Sequence, residues 1–252
     1  QQPKVSGGNN HFGSRLVWAR DGRLFVGLGD RFTRKDDAQT LDNHIGKVVR
    51  IEADGKAPAD NPFASSAGAR AEIWSYGHRN IQGAALHPTS GELWTVEHGP
   101  QGGDELNVPA PGANHGWPVI TYGRNYGIGT KIGDGTERAD VAPPLRYWVP
   151  SIAPSGMAFY EGALFPKWRG SLLVGALRDQ MLVRLSLDGE KVTDFQKEYT
   201  FDATNYGSID DYVKKIAYFY HASIQGSGPY PGAADAVRMV ADSGGRIAKV
   251  AR

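Results

Sequence analysis

Apolar and polar residues alternate along this chain in short runs, and the runs come in pairs. RLVWARDGRLFVGLGDR starts at Arg15, GAALHPTSGELWTVEHGP at Gly83 and GMAFYEGALFPKWRGSLLVGALRD at Gly156. A period of two marks a strand with one buried face. The Asp-Gly, Ser-Gly and Arg-Gly pairs between the runs are turn chemistry, so each copy predicts a β-hairpin that ends at a polar corner. The copies start about 70 residues apart, and KVVRIEA from Lys47 and MLVRLSLDG from Met181 add strands that complete four-stranded units. Repeated four-stranded antiparallel units predict an all-β fold, a β-propeller, occupying residues 1–252 as a single domain. A closed ring takes roughly 4–8 blades, whereas about three repeats and a fraction are legible here. The expectation is therefore an incomplete ring whose missing piece lies on the N-terminal side. One segment breaks the pattern: SIDDYVKKIAYFYHA, with Ser208 as N-cap and acidic residues in its first turn, predicts a helix over 208–222.

Composition narrows the function classes. With 28 basic and 27 acidic residues the formal net charge is +1, too balanced for a nucleic-acid partner. The 33 Gly and 15 Pro are scattered, as many tight turns require. The chain has no Cys, which excludes disulfides, thiolate metal sites and Cys nucleophiles. No apolar run approaches the roughly 20 residues of a membrane span.

Chemistry concentrates where strands end. In the first hairpin the end of the second strand returns to the start of the first, so Asp30 can approach His11. A carboxylate on one ring nitrogen would fix the tautomer and raise the basicity of the other; a surface His beside a turn Asp is the plainer reading. Arg79 and Asn80 in GHRN offer a planar cation and an amide suited to a carboxylate or carbonyl ligand. An Arg that merely braces loop carbonyls is an equal alternative. In EHGPQGGDELN, the Gly99-Pro100 corner can aim backbone carbonyls at a hard cation, and Asp104 and Glu105 can hold one themselves, though such Gly-rich acidic runs are usually plain turns. No Walker loop, HExxH or GxSxG is present, which leaves nucleotide, zinc-protease and serine-hydrolase functions without support.

HFGSRL, GLGDR, AEIWSYGHRN, EHGPQGGDELN, NHGWP, RYWVPSIAPSGMAFY and GALRD, in this order, resemble the soluble quinoprotein sugar dehydrogenases, in the aldose branch of the glucose/sorbosone dehydrogenase family, from Gln2 to about Val192. The resemblance implies a six-bladed propeller that binds pyrroloquinoline quinone (PQQ) through Ca²⁺ and oxidises an aldose at C1 to the lactone, with a separate electron acceptor. It implies His11 as general base and Asp30 as the acid that orients it. Asn10, Arg79, Asn80, His98, Ser151 and Arg178 fall at cofactor-contacting positions, with His98 where relatives carry Gln, and Ser151 and Arg178 where they carry Thr and Lys. The carbonyls of Gly99 and Pro100 match the ligands of the catalytic Ca²⁺, and Glu105 lies in a segment some relatives use for a second calcium. A periplasmic or secreted location is the corresponding expectation.

Two departures accompany the resemblance. The family chain begins well before this one, and the family's Arg-x-Arg-Asp motif is replaced here by SIDDYVKKIAYFYHASIQGSGPYPG, where Lys214, Lys215 or Arg238 are the available cations. The alternative function is a propeller without cofactor that binds sugar or protein. Trp117, Tyr122, Tyr126, Tyr147 and Trp148 are candidates for stacking on a pyranose face, or else for blade packing.

Overall fold

The computed structural model describes residues 8–163 and 165–200. They form three four-stranded antiparallel sheets, each a meander of sequence neighbours. The first holds β1 (Gly13–Trp18), β2 (Leu24–Leu28), β3 (Lys47–Ile51) and β4 (Ile73–Tyr76). The second holds β5 (Ile81–Leu86), β6 (Leu93–Glu97), β7 (Asp104–Asn107) and β8 (Arg146–Trp148). The third holds β9 (Pro154–Tyr160), β10 (Ser171–Ala176), β11 (Met181–Asp188) and β12 (Lys191–Thr200). The described helices are 3₁₀ turns at 35–39, 166–168 and 178–180, so the all-β expectation holds and the sheets have the form of propeller blades. The expected helix over 208–222 lies outside the described residues, as do Lys214, Lys215 and Arg238.

The three hairpins lie where turn chemistry placed them. Gly22, Gly91 and Gly170 each take a positive φ between their paired strands, a conformation only glycine adopts without strain. The acidic run DELN, expected to be part of a turn, is instead the mostly buried strand β7. It is drawn in because it pairs with both β6 and β8.

Packing follows the alternation. On β10, Leu172, Val174 and Ala176 point inward and are buried, while Leu173 and Gly175 alternate outward. These residues join Trp94, Val96, Leu106, Val183 and Leu185 in the core between the second and third sheets. A smaller cluster of Phe25, Val48, Ile81 and Leu93 fills the space between the first and second. Each fully buried aliphatic side chain of this kind contributes about 1.5–3 kcal/mol. Strand β5 lies against both β1 and β9, so the first strands of the three sheets stand side by side. Gly83 on β5 permits this approach, since a Cβ there would press on Val96 and Met157 at under 3.0 Å.

Side-by-side first strands have a consequence for the site. The start of each first strand and the end of each second strand lie at the same end of their sheet. His11 and Asp30, Arg79-Asn80 and His98-Gly99, and Ser151 and Arg178 therefore occupy equivalent corners of three neighbouring sheets.

Candidate active site

The first corner pairs a partly buried imidazole with a buried carboxylate. His11 Nδ1 donates to Asp30 Oδ1 at 2.6 Å, and Asp30 is 1% exposed. The same oxygen accepts the Phe32 N–H at 2.8 Å, and Oδ2 accepts the Trp117 indole N–H at 2.7 Å. With Nδ1 committed as donor, His11 Nε2 is the basic nitrogen, and no partner occupies it among the described residues. The plainer reading of a surface His beside a turn Asp is thus not what the fold forms. Local backbone makes the pair possible. His11, Ser14, Arg31 and Phe32 all take positive φ, and β1 carries a bulge between Gly13 and Arg15. Left-handed backbone at non-glycine residues costs on the order of 1–3 kcal/mol each and persists only where the surroundings enforce it. Gly29 is part of that enforcement: a Cβ there would overlap the His11 carbonyl.

The second corner centres on Arg79, which is buried. Its Nη1 donates to the carbonyls of His98 at 3.0 Å and Gly99 at 2.6 Å. Its Nη2 reaches the Tyr126 hydroxyl at 3.4 Å, and the guanidinium sits 5.2 Å from the centre of the Trp117 ring. Arg79 therefore does brace loop carbonyls, yet its Nε is buried with no partner. The Arg79 carbonyl accepts the Asp30 N–H at 2.8 Å, which ties the two corners together. Beneath them Glu97 accepts the N–H groups of Arg79 and Asn80 at 2.6 and 3.2 Å and pairs with His78 at 3.0 Å. Burial opposes its ionisation, but His78 and these backbone donors prevail and hold the Glu97 carboxyl below its ordinary pKa. Asn80 also accepts from Gln82 at 3.0 Å.

His98 gives its Nε2 proton to the Pro154 carbonyl at 2.6 Å, which leaves Nδ1 as an acceptor. Burial pushes its imidazole below the usual pKa, so the ring is neutral at physiological pH. Gly99 is sterically fixed, because a Cβ would overlap the carbonyls of Gly102 and Gly103.

The third corner hangs on Asp104. Its Oδ1 accepts the Gly99 N–H at 2.9 Å; its Oδ2 accepts Ser151 Oγ at 2.6 Å and the N–H groups of Ile152 and Ala153 at 2.8 and 2.9 Å. Buried and holding these four donors, Asp104 organises the Gly99 corner and the 151–153 loop. Arg178, exposed, donates to the Ser151 carbonyl at 3.1 Å. Asn10, also exposed, offers its carbonyl to Arg31 Nε at 3.4 Å.

Glu105 behaves differently from its neighbour. Burial, with Glu97 and Asp104 nearby, pushes its carboxyl up to about 8. It is a neutral acid at neutral pH, and a metal role would require it to lose that proton. Glu105 and His115 both line a small pocket behind the Gly99 corner and a larger cavity of about 620 Å³ flanked by 136–144. No group of three or more His, Cys, Asp or Glu suited to a metal exists among the described residues. A cation at this end would thus rely on carbonyl oxygens.

The aromatic candidates separate by environment. Trp148 is buried in the core. Tyr122 and Tyr147 stack on each other at 3.7 Å, so each has spent one face. Tyr126 is exposed beside Arg79. Glu97 is central to the site although the sequence did not single it out, and Trp117 and Asp104, read from the sequence as a stacking aromatic and a cation holder, are here a donor to Asp30 and an anchor of loops. Trp117 lies in the long β7–β8 connection, and its proximity to Asp30 arises only from folding.

The model of the glucose/sorbosone dehydrogenase family matches residues 1–205. The chain belongs to this family. It is 50% identical over 196 residues to an aldose sugar dehydrogenase of Escherichia coli (strain K12), a match covering 77% of this chain and 52% of that protein. Among solved structures, the apo form of the soluble aldose sugar dehydrogenase from Escherichia coli superposes with a TM-score of 0.74 at 46% identity, over 81% of this chain and 58% of that one. The PQQ-bound aldose sugar dehydrogenase from Streptomyces coelicolor gives a TM-score of 0.61 at 30% identity, over 78% and 52%. This glucose/sorbosone dehydrogenase family member spans about half the length of the curated relatives it matches. No helix among the described residues is long and apolar enough to cross a membrane.

Proposed function

We propose that the chain carries the catalytic corners of a PQQ- and calcium-dependent aldose dehydrogenase that converts the sugar to its lactone. The observation that carries this reading is the His11–Asp30 pair at 2.6 Å, on a corner tied through the Asp30 N–H to that of the buried Arg79 and the carbonyls it gathers. When bound, the quinone supplies the acceptor for hydride from the anomeric carbon, and Ca²⁺ supplies Lewis-acid polarisation. The residues fit such guests. The carbonyls of His98 and Gly99 already converge on one cationic nitrogen of Arg79, and a carbonyl oxygen has a second lone pair to give. Gly99 and Pro100 would hold the calcium through their main chain. Arg79, whose Nε lacks a partner, would grip an anionic cofactor, with Asn80, His98, Ser151, Arg178 and Asn10 around it and Glu105 as a second, weaker metal contact.

In this reading His11 Nε2 removes the C1 hydroxyl proton, and Asp30 holds the tautomer that makes this possible and stabilises the imidazolium that results. Asp104 keeps the Gly99 corner and the 151–153 loop in place.

The test is titration with PQQ, with and without Ca²⁺, following quinone absorbance and its bleaching on adding an aldose. The expected result is calcium-dependent uptake and sugar-driven bleaching, with His11→Ala still binding but no longer bleaching. A folded protein that takes up no PQQ would overturn the proposal and leave the binding-module alternative.

A further inference from the structure

We propose that Trp117 is a positioning residue for the proton transfer, acting through Asp30 to keep His11 in its productive tautomer; this rests on the reading of His11 as general base. The Asp30 carboxylate has two oxygens in different situations. Oδ1 is shared between His11 Nδ1 at 2.6 Å and the Phe32 N–H at 2.8 Å. Oδ2 has a single partner among the described residues, the Trp117 indole N–H at 2.7 Å. The group is buried, so without the indole this oxygen loses its one donor among the described residues, and the carboxylate would turn to recover one. Rotation would carry Oδ1 away from His11.

Trp117 is itself held on several sides. Its main-chain N–H donates to the Gly77 carbonyl at 3.0 Å, and its main-chain carbonyl accepts from Gln39 Nε2 at 2.8 Å. Gln39 and Asn114 exchange amide hydrogen bonds at 3.0 and 2.9 Å. The same indole faces the Arg79 guanidinium at 5.2 Å, within cation–π range. One rigid side chain thus sets the general base and the cofactor-facing cation relative to each other. An orienting hydrogen bond of this kind, one step removed from the reacting atoms, acts on geometry and not on substrate affinity.

Nitrogen-15 histidine spectra of the cofactor-free protein, at a pH where the ring is neutral, read the His11 tautomer directly. The parent is expected to show the Nδ1–H form. Two variants remove the donor: benzothienylalanine at position 117, which keeps the indole's shape, and Trp117→Phe, which also removes the second ring that faces Arg79. Both are expected to shift His11 toward the Nε2–H form. With PQQ, Ca²⁺ and aldose they are expected to lower kcat by about 10- to 100-fold while KM changes by less than about twofold. A folded benzothienylalanine variant with His11 nitrogen shifts identical to the parent's would overturn the proposal, since a Trp that only fills space changes stability and not tautomer. If the parent fails to bleach PQQ with sugar, the proposed activity falls, and the spectra still decide the Trp117–Asp30–His11 linkage.

Discussion

Two carboxyl groups less than a strand apart show how neighbours decide what an acid does. Asp104 is buried and accepts four hydrogen bonds, so it acts as a structural anion. Glu105 accepts one, from Asn107 at 3.2 Å, and burial with two acids nearby leaves it protonated to about pH 8. The linkage has a definite sign. Its folded pKa lies above the ordinary carboxyl value, so between the two the folded state binds more protons than the unfolded one, and stability falls as pH rises from about 4.5 to about 8. Glu105→Gln removes this dependence. Its melting temperature is expected to match the parent's near pH 4 and to exceed it progressively up to pH 8, by about 2–4 °C for each kcal/mol recovered. A constant difference across that range would place the protonation elsewhere. His11 and Asp30 were legible as partners because antiparallel pairing brings Leu28 opposite Gly13. Asp104's role was not, since its partners at 151–153 are distant in sequence.

At the scale of elements, the site depends on loops that are held by side chains and not by ladders. Asp104 on β7 fixes the Gly99 corner and the start of β9 at once. Asp104→Asn keeps the size but turns an amide donor toward N–H groups, and is expected to cost about 2–4 kcal/mol in a denaturant titration. The same variant is expected to weaken PQQ uptake, since the 98–100 and 151–153 loops lose their common anchor. Unchanged stability would mean that backbone pairing alone holds these loops. The turns of the hairpins were readable from Asp-Gly, Ser-Gly and Arg-Gly because φ is a local property. Strand β7 was not, because its burial comes from β6 and β8 on either side.

For the whole molecule, β5 is the strand against which two others rest, and Ile81 on it is buried between the first and second sheets. Ile81→Ala is expected to cost about 2–5 kcal/mol, read from the denaturation midpoint at unchanged slope. Leu16→Ser is expected to change stability by less than about 0.5 kcal/mol, because Leu16 on β1 is 66% exposed; equal losses would mean that both faces of the first sheet are core. The sequence by itself determined the all-β class, the three hairpins, the conformations needing glycine and the family, since period-two alternation, turn chemistry and motif order are all written locally along the chain. Only the tertiary structure decided that three strand-end corners meet, that Arg79 caps the Gly99 carbonyl, that Asp104 is spent on loops, and that Trp117 reaches Asp30. Those contacts join residues up to 87 apart, and which donor finds which acceptor depends on how the sheets stack, a property of the packed core and not of any one segment.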